Sequence, residues 1–307
     1  MSESLYDGPI IDAHTHLWDL STNDAYPWLR PTGSFGPKGR LDALKGKDYL
    51  LSDYQRDIAG TGVIASVHVE ALWDPALGAI NETRWLDSLG SERLASRYVA
   101  AAIFGTDGTR AELEAQAAFD RVRGVRQVIA WTPNPERRMA AEGDITRKPE
   151  WRRAIDDLLE LDLHLELLMY PDQAQNVAEL AIDYPELPIV INHIGSPIEQ
   201  DDAGLRRWRN GVTLMAGHPN VLVKLSAAAA YVTDKSVDAM RPFVDHLVEE
   251  FGADRTMVGS DFPVGTLVGW TYARYMDAYR VCLQNRSRAE QAAMFHETAA
   301  RLYRMDL

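Results

Sequence analysis

Short apolar runs recur along the 307-residue chain, and segments with helical periodicity separate them. Such runs are typical of strands that a parallel sheet buries on both faces. We predict eight of these strands, at Pro9–Ala13, Gly62–Val69, Tyr98–Phe104, Val122–Ile129, Leu163–Met169, Pro188–His193, Val221–Ser226 and Thr256–Asp261. Two of the predicted helices are Pro149–Glu160 and Val237–Phe251. This alternation predicts an α/β fold, and eight strands favour a TIM-like (β/α)8 barrel over an open sheet.

Composition limits the kind of protein. The chain has 32 Lys and Arg against 45 Asp and Glu, a net charge of −13, which argues against a nucleic-acid partner. Cys282 is the only cysteine, so an intramolecular disulfide and a cysteine metal site are excluded. Neither a signal peptide nor a membrane span is visible, which predicts a cytoplasmic protein. No linker interrupts residues 1–307, so we predict one barrel domain with a long loop after strand 1, at about residues 21–47.

Four side chains with metal-binding chemistry follow predicted strands. His14 and His16 are two residues apart, so they face one side of the first strand, whereas His193 and Asp261 end the sixth and eighth. The carboxyl ends of barrel strands are where active sites are built. Three imidazoles and a carboxylate suit Zn²⁺ or a similar ion, and Asp261 could take a proton from a water bound there. The histidine pair alone could equally be structural.

Four further residues are candidates to bind substrate. Arg126 lies in the fourth strand, where its guanidinium could grip a carboxylate or form an ion pair inside the barrel. Glu70 ends the second strand and could bind a substrate hydroxyl or brace an arginine. Tyr170 ends the fifth strand with its hydroxyl near the mouth. Trp28, in the long loop, could stack on a ring or simply pack the loop.

Three motifs together resemble the amidohydrolase superfamily. They are Asp-Ala-His-Thr-His from Asp12, His-Ile-Gly-Ser-Pro from His193 and Gly-Ser-Asp-Phe-Pro from Gly259. They are most similar to its "amidohydrolase 2" branch of sugar-acid lactonases, 2-pyrone-4,6-dicarboxylate hydrolase and sulfomuconolactonase, and the resemblance extends from Ile10 to about Met305. It implies a barrel hydrolase with His14, His16, His193 and Asp261 as metal ligands and with Asp261 and His193 as catalytic residues.

Two departures from the wider superfamily limit the number of metal ions. Binuclear members have a carbamylated Lys or a Glu on strand four, where this chain has Arg123, Arg126 and Gln127. Many members also end strand five with a His, whereas His164 lies six residues before Tyr170. We therefore expect one divalent ion, with zinc the first choice, or none, because some lactonases of the resembled branch work without metal.

The leading functional hypothesis is a hydrolase of carbohydrate acid catabolism that opens a small-molecule lactone of a sugar acid or muconate-type acid. Activated water would attack the ester carbonyl, and no Gly-x-Ser-x-Gly nucleophile motif is present. The alternative enzyme is a metal-dependent non-oxidative decarboxylase of a small carboxylic acid, since some decarboxylases share this set of residues. A third possibility is a non-catalytic barrel that binds a small ligand. The sequence leaves the oligomeric state open, a homo-oligomer included.

Overall fold

The computed structural model describes residues 5–22, 24–33 and 41–307. In these ranges eight parallel strands form one sheet in chain order. The strands are β1 (Ile10–Thr15), β2 (Val63–Val69), β3 (Arg97–Ala101), β4 (Val122–Val128), β5 (His164–Leu168), β6 (Ile189–Ile191), β7 (Val221–Leu225) and β8 (Thr256–Val258). The α-helices are α1 (Leu51–Asp57), α2 (Ile80–Ser88), α3 (Thr109–Ala117), α4 (Pro149–Glu160), α5 (Ala174–Asp183), α6 (Asp202–Ala216), α7 (Ala228–Tyr231), α8 (Val237–Phe251), α9 (Tyr272–Leu283), α10 (Arg288–Ala292) and α11 (Thr298–Tyr303).

The two edges of the sheet meet just beyond β1 and β8. The backbone N–H of Asp261 donates to the carbonyl oxygen of His14 at 2.8 Å, and that of His16 donates to Phe262 at 2.8 Å. Thr15 and Phe262 form a parallel bridge between the same segments. The sheet is therefore a nearly closed barrel with helices between its strands, which confirms the predicted TIM-like (β/α)8 fold.

Two layers of apolar side chains fill the molecule. The larger cluster joins the outer faces of the strands to the helices. The smaller cluster lies inside the barrel, where alternate residues such as Ile11, Val67 and Met257 pack together with Tyr303 and Met305 of the C-terminal segment. The C-terminal segment therefore packs against the barrel interior at the end opposite the mouth.

Both predicted helices form with the predicted bounds. α4 begins at Pro149 and buries Trp151, Ala154, Ile155 and Leu158 at helical spacing. α8 is capped by the Ser236 hydroxyl and ends at Gly252, whose φ of 74° is one that glycine adopts readily. Within the described residues no helix is long and apolar enough to cross a membrane.

Three predicted strands stop two or three residues before their predicted ends. β3 stops at Ala101, although the apolar run extends to Phe104. β6 stops at Ile191 and β8 stops at Val258, although the apolar runs extend to His193 and Asp261. The backbone there leaves the extended region, with φ of 53° at His193 and 60° at Asp261. In the predicted loop after strand 1, residues 23 and 34–40 lie outside the described residues, and short 3₁₀ turns at Pro27–Leu29 and Asp42–Leu44 form on either side of the second gap.

Candidate active site

The four side chains singled out as metal ligands meet at the carboxyl ends of β1, β6 and β8. Oδ1 of Asp261 is their common point. It lies 3.2 Å from Nε2 of His16, 3.7 Å from Nε2 of His14 and 3.9 Å from Nε2 of His193. All four residues are buried. His14, His16 and Asp261 are close enough to one another to hold a single ion, and His193 approaches the same carboxylate oxygen.

A bulge in β1 turns His14 towards the barrel interior. Between Asp12 and Thr15, β1 has one residue more than the paired stretch of β2. Before the bulge, Asp12 points outward, and its carboxylate accepts hydrogen bonds from Tyr54 of α1 and Tyr272 of α9 at 2.9 and 2.8 Å. Simple alternation would place His14 on that outer side as well. The extra residue reverses the alternation, so His14 faces the site.

The ring nitrogens of His16 and His14 fit the requirements of a cation-binding site. Nδ1 of His16 donates to the carbonyl oxygen of Val69 at 2.7 Å, so the neutral ring presents a lone pair at Nε2 to Asp261. Two acceptors that face each other at 3.2 Å need a proton or a cation between them. Both ring nitrogens of His14 are buried and have no hydrogen-bond partner among the described residues. The distances also fit, because ligands of a tetrahedral zinc lie roughly 3.3 Å apart.

Burial controls the ionisation of these groups. It lowers the pKa of His193 to about 4, although the nearby Asp261 carboxylate opposes the shift. It also lowers the pKa of His14 well below the ordinary value, and the positive charge of Lys224 adds to the effect. Burial would raise the pKa of Asp261, but His193 and His16 outweigh it and hold that pKa below its ordinary value. At neutral pH His14 and His193 are therefore neutral and Asp261 is ionised, the forms that bind metal.

His193 is held by β7 and by an unusual backbone. Its N–H donates to Oγ of Ser226 at 3.1 Å, and its Nδ1 lies 3.0 Å from the same oxygen. Positive φ angles occur at His193, Ile194, Ser196 and Ala227, all in the loops after β6 and β7. Such angles cost energy in non-glycine residues and cluster at functional sites. Ser226 was not identified from the sequence, where it is only the last residue of an apolar run.

A cavity of about 360 Å³ adjoins the four side chains. His16, His193 and Asp261 reach it, and so do three of the four predicted substrate-binding residues, Arg126, Tyr170 and Trp28. The other described residues that line it are Leu41, Ala71, Leu72, Arg137, Met139, Leu168, Pro197, Ile198, Ala227, Ala230, Tyr231 and Val264. The arrangement places a small-molecule pocket beside the candidate metal site.

Arg126 and Glu70 form a buried ion pair. Nε of Arg126 donates to Oε1 of Glu70 at 2.6 Å, and its Nη2 donates to the carbonyl oxygen of Glu70 at 2.6 Å. The second carboxylate oxygen accepts the backbone N–H of Leu72 at 2.7 Å. Glu70 is not among the described residues that line the cavity. Of the two roles considered for Glu70, the geometry favours bracing Arg126.

A second buried polar cluster, inside the barrel, was not foreseen as a unit. Nζ of Lys224 lies 2.6 Å from Oε2 of Glu166, and the same carboxylate accepts hydrogen bonds from Asn192 at 2.8 Å and Tyr303 at 2.6 Å. Nε2 of His164 lies 3.2 Å from Oε1 of the same carboxylate. The available signal was a lysine inside the apolar run of β7, since a buried ammonium requires a partner.

The fold and the site thus define a barrel with a buried His and Asp cluster, a candidate metal site, beside a small-molecule pocket. Residues 11–305 match the sequence profile of a family described as amidohydrolase. The chain is 31% identical over 300 residues to the uncharacterized protein y4mH of Sinorhizobium fredii, covering 97% of this chain and 99% of that protein. It is 28% identical to an L-fucono-1,5-lactonase of Burkholderia ambifaria, covering 96% of each. A solved amidohydrolase of Burkholderia multivorans with bound zinc shares the fold, with a TM-score of 0.79, 23% identity and coverage of 97% and 99%.

The chain belongs to the amidohydrolase family. This membership confirms the resemblance that the three motifs indicated, and with it the prediction of a hydrolytic enzyme.

Proposed function

We propose that this enzyme hydrolyses a lactone with the help of one divalent metal ion, with zinc the first choice. The observation that carries the proposal is the buried set of His14, His16 and Asp261 beside the cavity. Both ring nitrogens of His14 lack a hydrogen-bond partner among the described residues, and the Nε2 lone pair of His16 faces Asp261. The similarity to lactonases along nearly the whole chain supports the reaction class.

His14, His16, His193 and Asp261 would hold the ion. A bound metal ion supplies two kinds of chemistry, since it polarises an ester carbonyl and lowers the pKa of a coordinated water towards neutrality. Asp261 would accept the proton of the attacking water, because its carboxylate is ionised at neutral pH and reaches the cavity. It would then return that proton to the leaving alkoxide, so that the ring opens to a hydroxy acid.

His193 is assigned two roles that require different tautomers. If Nδ1 donates to Oγ of Ser226, then Nε2 carries a lone pair and serves as a metal ligand. If Nδ1 instead accepts the Ser226 hydroxyl proton, then Nε2–H can stabilise the oxyanion of the reaction. The Ser226→Ala variant separates these roles. A change in metal content indicates that His193 is a metal ligand, whereas a loss of kcat at full metal content indicates that His193 donates to the oxyanion.

Substrate contacts are proposed for Arg126, Trp28 and Tyr170, which line the cavity. Arg126 keeps only part of its donor fork for substrate, because Nε and Nη2 already bind Glu70. Glu70 acts through Arg126 as a positioning residue. Trp28 and Tyr170 offer ring faces rather than donors, since the Trp28 N–H binds Ala71 and the Tyr170 hydroxyl binds Arg137.

The test combines metal analysis with a lactone screen. Protein purified without added ions is assayed for bound metal, and acid release from lactones is followed with a pH indicator, with and without chelator. We expect about one bound ion, activity that chelation removes and metal restores, and loss of activity in Asp261→Asn. His246→Ala, at a half-buried position of α8 that is not among the described residues lining the cavity, is the control and should behave as the parent protein.

Three results would contradict parts of the proposal. Full activity after chelation, with no bound metal, would contradict the metal-dependent mechanism but not the assignment as a lactonase. Release of CO2 from a carboxylic acid, without hydrolysis of any lactone, would replace the hydrolase by a decarboxylase. The third result has two parts: the parent protein hydrolyses no lactone, and Asp261→Asn changes only its stability. This result would indicate a barrel that binds a ligand without catalysis.

A further inference from the structure

Carbon side chains form one side of the cavity. Leu168 and Tyr170, at the end of β5, cluster with Ala130, and Met139 and Ile198 pack against them. Except for Ala130, these residues line the cavity. We call Leu168, Tyr170, Met139 and Ile198 the apolar wall. Leu168 and Tyr170 are buried, whereas Met139 and Ile198 are half-buried and offer their side chains to a ligand.

The polar atoms of the Tyr170 and Trp28 rings are bonded to the backbone. The Tyr170 hydroxyl donates to the carbonyl oxygen of Arg137 at 2.6 Å. The indole N–H of Trp28 donates to the carbonyl oxygen of Ala71 at 2.7 Å. These bonds turn ring faces and edges, rather than donors, towards a ligand.

The remaining polar side chains of the described lining are concentrated at few points. His16, His193 and Asp261 belong to the reacting end. Arg126 is engaged by Glu70 through Nε and Nη2. Arg137 and Tyr231 are the other polar side chains of the described lining, and Nη1 of Arg137 donates to the carbonyl oxygen of Ile198 at 3.0 Å. A ligand with hydroxyls around its whole ring would therefore place several of them against the apolar wall.

We propose that the enzyme prefers a lactone whose non-reacting part is alkyl or aryl carbon over a polyhydroxylated sugar lactone. This inference rests on the proposed lactone hydrolysis. A hydroxyl against the apolar wall gives up its hydrogen bonds to water and finds no replacement there, whereas carbon gains from being buried. The substrate class then differs from the one in the name of the Burkholderia ambifaria relative.

The test compares two lactones of equal ring size, one with an alkyl chain and one with hydroxyls on ring and side chain. The metal-loaded protein should show a kcat/KM about 10- to 100-fold higher for the alkyl lactone. Met139→Gln introduces an amide into the apolar wall and should reduce this ratio several-fold. Met139→Leu keeps an apolar side chain of similar volume and should preserve the ratio.

Each outcome of this comparison either supports or overturns the inference. A preference for the alkyl lactone that Met139→Gln reduces and Met139→Leu keeps supports the inference. Equal kcat/KM values, or a preference for the hydroxylated lactone, overturn it and leave the proposed hydrolysis intact. Inactivity on both lactones and on a wider lactone panel overturns the proposed function, and the inference with it. An unchanged ratio in Met139→Gln overturns the assignment to the apolar wall.

Discussion

Replacing Lys224 by methionine tests whether the ion pair inside the barrel stabilises the fold. The lysine side chain is completely buried, and its Nζ lies 2.6 Å from Oε2 of Glu166. Burial alone would raise the pKa of Glu166, but the Lys224 ammonium and His164 hold it below its ordinary value. Lys224→Met therefore leaves a buried carboxylate without its cation. Removing one partner of a buried pair costs about 3–5 kcal/mol.

The expected loss is a large part of the stability of a typical domain, roughly 5–15 kcal/mol. Hydrogen bonds from Tyr303 and Asn192 to Glu166 remain, so we expect the variant to fold. Urea unfolding, followed by circular dichroism at neutral pH, gives the free energy of unfolding for the parent, Lys224→Met, Glu166→Gln and the double variant. The double variant should lose less than the sum of the single losses, with a coupling of about 1–3 kcal/mol.

The matched control is the exposed pair of Lys148 and Glu142, whose charged atoms are 2.6 Å apart. Solvent screens this pair, so Lys148→Met should change unfolding little. Additive losses in the double variant, or a loss in Lys224→Met no larger than in Lys148→Met, would refute the reasoning. The pH dependence gives a second check. The stability that ionised Glu166 contributes is present above the unfolded pKa of this group, and it is lost as the pH falls towards the folded pKa. Lys224→Met should shift this loss to higher pH.

Three further predictions concern the active site. His14→Ala should lose bound metal, measured by elemental analysis, whereas His246→Ala should retain it; equal metal content would contradict the assignment of His14. Between the unfolded pKa of about 6.5 and the folded pKa of about 4, His193 binds a proton only in the unfolded chain, so metal-free protein should lose about 3 kcal/mol as the pH falls through this window. His193→Asn should flatten that slope, and an unchanged slope would exclude His193 as its source. Arg137→Met should raise KM for lactones that carry a carboxylate and not for neutral lactones. The reason is that Arg137 lines the cavity and pairs with no carboxylate among the described residues, so it can bind a substrate carboxylate. An equal effect on both kinds of lactone would refute this role.

The existence and order of the strands were predictable because burial restricts their composition, although the last residues of β3, β6 and β8 were not. A strand that is covered on both faces must be apolar, so the apolar runs near Ile189 and Met257 can be recognised as strands from the sequence. A polar residue directly after such a run is carried to the mouth of the barrel. This is why His193 and Asp261 could be placed at one end of the fold although 68 positions separate them.

Partners across the sheet were not predictable, because they depend on register. Arg126 and Glu166 occupy paired positions on β4 and β5, yet Arg126 binds Glu70 and Glu166 binds Lys224. A shift of one residue in either strand would turn these side chains to the other face. The sequence shows the charged residues but not the register between strands. It therefore could not show whether Glu70 binds a substrate hydroxyl or braces an arginine.

Strict alternation along β1 predicts that His14 and His16 share a face, and the same alternation would place Asp12 with them. The structure keeps the histidines at the site and places Asp12 outside, because one residue is added between Asp12 and Thr15. On the outer side Asp12 accepts the N–H and hydroxyl of Ser260 at 2.8 and 2.6 Å. Asp12 therefore holds Ser260, the residue before Asp261, from the outer side of the barrel, while His14 faces Asp261 on the inner side. The bulge lets five consecutive residues hold both sides of the junction between β1 and β8.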